Sequence, residues 1–407
     1  MTGTDNVVPD VMVGSMHRLK SGRKFIYYTK IDEVRESFST HDVVVSRSFF
    51  KALEKYPPKD THFRYISIIE DQQAVAFLYF QIKKINLLDS LSGSFNDTGK
   101  ASSWNKFNNS VKRMITGKVN FYTLVCGNMM QTGRCGMVNA QDFSRSIALE
   151  EIDEVVETLM PTFKKEGIPP VGILMKDFTE EQRYDEDRAW KLGYKQFKVQ
   201  PSMHLKLREE WGSFEDYLLD LKSKYKVRTR RAIKKCADIE KRKLSLEEIE
   251  LYKDEMHDMY KSIALQASFN LFILPEDYWK GLFQNMKDNF QMIGYFLDGK
   301  MVAFYTIIDN YETLDAHFLG YNKEINKSHH LYHNILLDLL QEAIRLKKKD
   351  LHLSRTAMAI KSSIGAKPED LYLYLKLFHP IAKKMMPKIL TYLTPVEQWE
   401  ERNPFKG

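Results

Sequence analysis

Met292-Ile-Gly-Tyr-Phe-Leu-Asp298-Gly299-Lys-Met-Val302-Ala303-Phe304 is a pair of apolar, aromatic and β-branched runs joined by Asp-Gly. Such runs suit a pleated, half-buried sheet, and Asp-Gly tolerates the left-handed backbone of a two-residue hairpin turn. The stretch therefore reads as a hairpin of strands Met292 to Leu297 and Met301 to Ile308. The plan occurs once before, as Tyr65 to Glu70, a turn at Asp71 and Gln72, and Ala74 to Ile85. Asp71-x-x-x-Val75-Ala76-Phe77 and Asp298-x-x-x-Val302-Ala303-Phe304 share four identities at one spacing, an offset of 227 residues. We read the pair as an internal duplication.

The order of elements after each hairpin supports that reading. After the second come a strand (Leu314 to Tyr321), an amphipathic helix (Leu331 to Lys348) and a strand (Asp350 to Thr356); after the first come Phe121 to Cys126, Leu149 to Lys165 and Val171 to Lys176. Strand–helix–strand units fed by hairpins predict an α/β fold, two mixed sheets flanked by helices. The expected division is 1–209 and 210–407, with an inserted segment of about 86–120, rich in Ser, Gly and Asn, in the first half. Ser213 to Lys243 is expected to form one long helix opening the second half. Ser213 and Asp216 have capping-box spacing, and Leu218, Leu221, Tyr225, Ala232 and Cys236 recur at helical intervals.

A chain of 407 residues exceeds what one core usually supports, so two cores are expected. With 43% hydrophobic and 28% charged residues it is not a largely disordered chain. Sixty-one basic residues against 54 acidic ones leave a small excess, +7, which favours anionic partners only where the charge clusters. Cys126, Cys135 and Cys236 form no C-x-x-C pair, and their odd number argues against a disulfide framework, so a reducing, cytoplasmic setting is expected. The first thirty residues hold no signal-peptide core, and the longest apolar runs fall short of the roughly 18–20 residues of a spanning helix. Neither export nor membrane crossing is expected.

The hairpin Gly294 to Phe304, the strand Asp315-Ala-His-Phe-Leu-Gly-Tyr321 and the stretch Arg355-Thr356 followed by Ile360-Lys361-Ser-Ser-Ile-Gly365-Ala366 together resemble bacterial GNAT-superfamily acyltransferases of the Fem-like, tandem-GNAT type. The resemblance covers most of residues 210–380 and extends more weakly to Cys126-Gly127-Asn128 and Thr132-Gly133. It implies transfer of an acyl or aminoacyl group to an amine, from acyl-CoA, an acyl carrier protein or an aminoacyl-tRNA. The chain departs from the pattern in two places. No glycine-rich pyrophosphate loop follows Gly320, where Asn322 to His330 stand, and Ser354 and Ala359 replace a Gly and an acidic residue of the relatives.

Ligands of open α/β sheets bind beyond the carboxyl ends of the strands, which directs attention to Tyr321, Arg355 and Lys361. Amide formation needs a proton acceptor and donors for an oxyanion. His317 is the candidate base, with Asp315 two residues earlier on the same strand face either to orient it or to receive a proton by way of water. Arg355 and Lys361 are candidates to hold a carboxylate or phosphate. Gly365 either ends a turn or admits a ligand close to the backbone, and Tyr332 either lines the donor cleft or packs in the core.

The run Lys222, Lys224, Lys226, Arg228, Arg230, Arg231, Lys234, Lys235 is either a solvated helix face or a grip for tRNA phosphates, a carrier protein or anionic lipid. Arg228 falls on the apolar stripe of the expected long helix, so a polar pocket or a carboxylate should receive it. His329 and His333 lie one turn apart, but no further ligand completes a metal set, and none is expected. His379 to Tyr392, basic and apolar together, either closes the core, caps a long acyl chain or rests on a membrane, which would place the protein at the periphery of the inner membrane.

These readings converge on an N-acyltransferase with a thioester co-substrate, acyl-CoA or acyl carrier protein, an amino acid or amino-lipid acceptor and no tightly bound cofactor. An aminoacyl-tRNA-dependent transferase of Fem type and a non-catalytic acyl-ligand binder are the alternatives.

Overall fold

The structure, a computed structural model, describes residues 11–36, 42–86, 120–139, 148–265, 272–394 and 399–406. The segment expected as an insertion falls almost wholly at 87–119, outside the described residues.

In the first half, β1 (Met16–Arg18), β2 (Lys24–Tyr28), α1 (Arg47–Lys55), β3 (Thr61–Glu70), β4 (Gln73–Asn86), β5 (Asn120–Cys126), β6 (Met137–Asn139), α2 (Leu149–Lys165), β7 (Pro170–Phe178), α3 (Glu186–Lys191), β8 (Lys195–Lys198) and β9 (Ser202–Lys206) follow in order. The second half continues with α4 (Phe214–Asp220), α5 (Ser223–Lys235), β10 (Glu240–Lys243), α6 (Leu246–Leu251), α7 (Lys253–Ala264), α8 (Tyr278–Met286), β11 (Phe290–Leu297), β12 (Lys300–Asn310) and β13 (Thr313–Tyr321). It ends with α9 (Lys323–His329), α10 (Leu331–Arg345), β14 (Asp350–His352), α11 (Met358–Ser363), β15 (Lys367–Glu369), β16 (Tyr372–Leu377) and α12 (Pro380–Leu393).

The expected hairpins are β3–β4 and β11–β12, and the duplication extends to their irregularities. Asp71 and Gln72 at the first turn, Asp298 and Gly299 at the second, all have positive φ, the conformation whose twist matches that of the flanking strands. The ladder slips between Ile68 and Ile69 in one hairpin and between Tyr295 and Phe296 in the other, again 227 residues apart. A bulge repeated at one offset is a backbone feature that chance identity of a few residues would not produce.

Two mixed sheets result. One runs β1-β2-β3-β4-β5-β7-β16-β8, with β6 also on β4; the other runs β10-β11-β12-β13-β14-β9-β15. The last strand of each half thus belongs to the other half's sheet: β9 lies between β14 and β15, and β16 between β7 and β8. Helix α2 buries Ile152, Val155, Val156, Leu159 and Phe163 on the first sheet, and α10 buries Ile335, Leu336, Leu339, Leu340 and Ala343 on the second. A third core joins the halves, where Phe49, Phe50 and Leu53 of α1 meet Tyr278, Trp279 and Leu282 of α8. A Cβ on Gly281 would stand 2.6 Å from the Tyr56 ring, so the two helices approach as closely as glycine permits. Among the described residues no helix is long and apolar enough to cross a membrane.

The sequence expectation fails between Ser213 and Lys243. The Ser213–Asp216 capping box forms, but the helix stops at Asp220 because Leu221 is extended and bridges to Phe405, while the Lys222 amide donates to the Pro404 carbonyl. Helix α5 starts afresh, and Glu240–Lys243 is an edge strand rather than helix. Helix α12, the segment with three readings, packs Met386, Ile389 and Leu390 on Leu375 and Leu377 of β16.

Candidate active site at the seam between the halves

Parallel strands β13 and β14 pair at only three positions, Thr313 with Asp350, Leu314 with Leu351 and Asp315 with His352. Beyond them β13 continues to Tyr321, while the chain after His352 turns into a loop and then α11. The strand expected to reach Thr356 therefore ends four residues early. In that loop Ser354, Thr356 and Ala357 all have positive φ, a conformation that side chains with a Cβ adopt at a cost of roughly 1–3 kcal/mol each. Lys361 holds it there. Its buried ammonium donates to the carbonyls of Leu353 (2.6 Å), Ser354 (3.4 Å) and Arg355 (2.6 Å), so its three donors are consumed by backbone. Burial pushes this amine down to about 7, against the hold of those carbonyls. Lys361, expected to grip a ligand anion, instead shapes the loop that presents Arg355.

Arg355 points across the seam and pairs through one terminal nitrogen with Asp177, which is fully buried at the end of β7. Asp177 also accepts from Lys176 and from the Gly133 amide at 3.1 Å. Burial works to raise its carboxyl, but Arg355 and then Lys176 outweigh it and hold the group below the usual carboxylate range. The Nε of Arg355 is buried with no hydrogen-bond partner among the described residues.

A second polar chain crosses the seam at the point where β13 and β14 part. Arg134 pairs with Asp42 and lies 3.4 Å from Asp315. Asp315 accepts from Asn310 (2.9 Å) and from His352 Nδ1 (2.7 Å). Burial opposes ionisation of Asp315, yet Arg134 and then the His352 hydrogen bond keep it well below its ordinary value. An ionised Asp315 fixes the proton on Nδ1 of a neutral His352, so its Nε2 accepts from the Ser202 hydroxyl at 2.7 Å. Ser202, His352 and Asp315 are each under 4% exposed. His204 stacks on His352 with centroids 4.5 Å apart. Burial would lower its pKa, but hydrogen bonds to Asp350 and then Glu369 outweigh that and raise it to about 9.

The expected pairing of Asp315 with His317 does not form, because Asp315 turns to His352. His317 lies among Tyr278, Phe290 and Phe318, meeting the Tyr278 hydroxyl at Nε2 (3.1 Å) and Thr306 Oγ1 at Nδ1 (3.4 Å). Burial drives its pKa down to about 3, partly offset by Asp315, so it stays uncharged and is a weak proton acceptor at neutral pH. Tyr321, where β13 ends, packs against Tyr332 at the start of α10, the rings tilted by 41° with centroids 5.9 Å apart. The close approach at Gly365, which has φ 106°, is made by Phe405, whose ring would lie 2.3 Å from a Cβ. Arg228 is exposed rather than inward, since α5 buries Thr229 and Ala232 and leaves Arg228 at the edge of that side. His329 meets Asp238 at 3.3 Å, while His333 is buried in α10.

Arg134, Asp177, Lys176, His352 and Ser202 were not singled out from the sequence. The signal for two of them was present in Thr132-Gly133 and in the Lys176-Asp177 pair at a strand exit, but only the seam gives them partners.

No family model and no curated protein matches the chain. Among solved structures, FemX covers 87% of this chain and 100% of its own at 9% identity, with a TM-score of 0.50. A tandem GNAT protein from the clavulanic acid biosynthesis pathway covers 86% and 93% at 8% identity (TM-score 0.48), and L-PGS from Bacillus licheniformis 85% and 96% at 10% (TM-score 0.43). The chain thus shares the fold of FemX, and each of its halves is a mixed sheet flanked by helices.

Proposed function

We propose that the protein is an N-acyltransferase that joins an acyl group from a thioester to an amine at the seam, where β13 leaves β14. The observation that carries this reading is the coincidence of three features: the parting of those strands, the strained loop 354–357 set just beyond them, and Arg355 aimed across the seam with its Nε unused. Backbone strain held in place by surrounding contacts concentrates at functional sites. The fold shared with FemX supports the same reading at the level of architecture.

In the reaction the amine nitrogen attacks the thioester carbonyl carbon, the carbon–sulfur bond breaks, and the amine proton is balanced by the one the departing thiolate gains. Arg355, held by Asp177, offers its remaining N–H groups to the anionic group of the acceptor or to the oxyanion. The weak basicity of His317 leaves it an orienting role, so the amine enters unprotonated and its proton leaves by water. Asp315 and His352 act as positioning residues that pin β13, β14 and β9 where the strands part.

The test is thiol release from a panel of acyl thioesters with amino acids and amino-lipids, product mass being read by mass spectrometry. Arg355→Ala is expected to lower kcat/KM on the order of 10²-fold, with folding preserved because Asp177 keeps Lys176. Undiminished turnover in this variant would remove the site. Tight acyl-ligand binding with no product across the panel would make the protein a binding module, and a strict requirement for charged tRNA would make it a Fem-type transferase.

A further inference from the structure

Helix α5 presents a surface that none of the chemistry above uses. Residues 222–235 contain eight cations and no acid. Among the described residues one carboxylate meets them, Glu215, 2.7 Å from Arg230. The buried side is Thr229 and Ala232, with Tyr225 packed on the second core. Turning the helix by 100° per residue puts Val227 opposite that side, 58% exposed, with Lys224, Arg230, Arg231 and Lys234 around it. Ile233 is also exposed, and Leu219 is exposed on the neighbouring α4.

This face adjoins the start of α10, which packs on the end of β13. Asn334 of α10 donates to the Ala232 carbonyl at 3.0 Å. Arg228 and Lys235 lie near enough to His330, and Arg228 to His333, for their charges to act on those rings. The start of α10 is in turn packed against the end of β13 through Tyr332 and Tyr321. Between them, a glycine-free helix capped by Asn322 occupies the turn where a glycine-rich loop would cradle a pyrophosphate. At this end of β13 the cations stand on an outlying helix and the turn has no glycine-rich backbone cradle, which suits a donor whose charge is on a macromolecule rather than on a nucleotide.

We propose that α5 is the docking face for a small acidic helical carrier protein that bears the acyl thioester, an inference that rests on the thioester reading above. The helix is about 20 Å long, matching a single acidic helix of a partner. Cations ringing an isolated aliphatic side chain complement acidic residues ringing an apolar one, with the cations setting orientation and encounter rate. A bilayer-lying helix needs a continuous apolar face, and the apolar side of α5 is already covered. Nucleic-acid binding in single strands relies on outward aromatic platforms, and the exposed side of α5 has none.

The experiment measures fluorescence anisotropy of a labelled, hexadecanoyl-loaded acyl carrier protein with the whole chain, and turnover with that carrier and with hexadecanoyl-pantetheine. Arg231→Glu/Lys234→Glu should weaken carrier binding more than tenfold and lower kcat/KM for the carrier by more than tenfold relative to the pantetheine thioester. Val227→Ala should weaken binding severalfold with the charge unchanged, and thermal melts should match the wild type. Carrier affinity untouched by the charge reversal would overturn the proposal. So would preferential wild-type binding to tRNA or phosphatidylglycerol vesicles that the same reversal abolishes. If carrier binding falls as expected but no thioester is ever consumed, the docking face stands and the acyl-transfer reading alone fails.

Discussion

In the first half β5 stays paired with β7 through its last residue, Cys126 against Met175; in the second, β13 leaves β14 after three pairs. The same elements, carrying the same turn and the same bulge, have therefore been put to two uses. Where the strands stay together, the chain beyond them folds back tightly. Gly127 bridges Cys135, and a Cβ on Gly136 would lie 2.2 Å from the Gly127 nitrogen. Lys176 fills the remaining space, bonding the carbonyls of Asn128 and Gln131. Where the strands part, the loop between is strained and delivers Arg355. One unit acts as a closed support, and its Asp177, Arg134 and Asp42 anchor the open one.

The contrast can be broken most directly at Asp315. Asp315→Ala leaves the half-buried Arg134 with Asp42 alone and the buried His352 without its acceptor, a loss of about 3 kcal/mol, the low end for breaking a buried charged pair. Urea unfolding should show that loss, with the larger part of activity gone as β13 and β14 lose their pin. A loss under about 1 kcal/mol would mean that the seam is held by apolar packing alone.

The His204 cluster gives a finer test of the same junction. Its folded pKa, raised to about 9 from an ordinary 6.5, means that its contribution is fully present below pH 6.5 and is lost as pH rises through 9. The stability difference between wild type and His204→Gln should therefore shrink by about 2–3 kcal/mol between pH 6 and 9.5. Comparing the two proteins cancels the opposite trend of Lys361, whose depressed value favours the fold at higher pH. A difference independent of pH would show His204 to be uncharged in the fold.

The smallest expected effect compares the two turns themselves. Gln72 adopts at φ 67° what Gly299 adopts at 75°. Gln72→Gly should stabilise, and Gly299→Gln destabilise, each by about 1 kcal/mol or less. Thermal melts that move both variants the same way would separate the turns despite their common backbone.

The hairpins and the helices Leu149–Lys165 and Leu331–Arg345, the latter expected to run on to Lys348, were legible in the sequence because each is fixed by residues close together in the chain. The misses have a common origin at distance. Phe405 ends the helix at Leu221, and it also claims the space beside Gly365. Asp315 reads in the sequence as a partner for His317, two residues on, whereas the partner it meets, His352, lies 37 residues away on a strand that pairs with its own for three positions. Lys361 reads in the sequence as a grip for a ligand carboxylate or phosphate, whereas its engagement with three carbonyls depends on a loop whose backbone no local pattern encodes.

The exchange of β9 and β16 has a consequence for how the protein is made. A ribosome releases the first half's strands in order, yet the gap between β7 and β8 can be filled only by residues 372–377. Until then the nascent sheet carries two bare edges, the kind of surface that invites pairing with other chains. Completion of both sheets is thereby deferred to one late event, and the two units must be born interlocked.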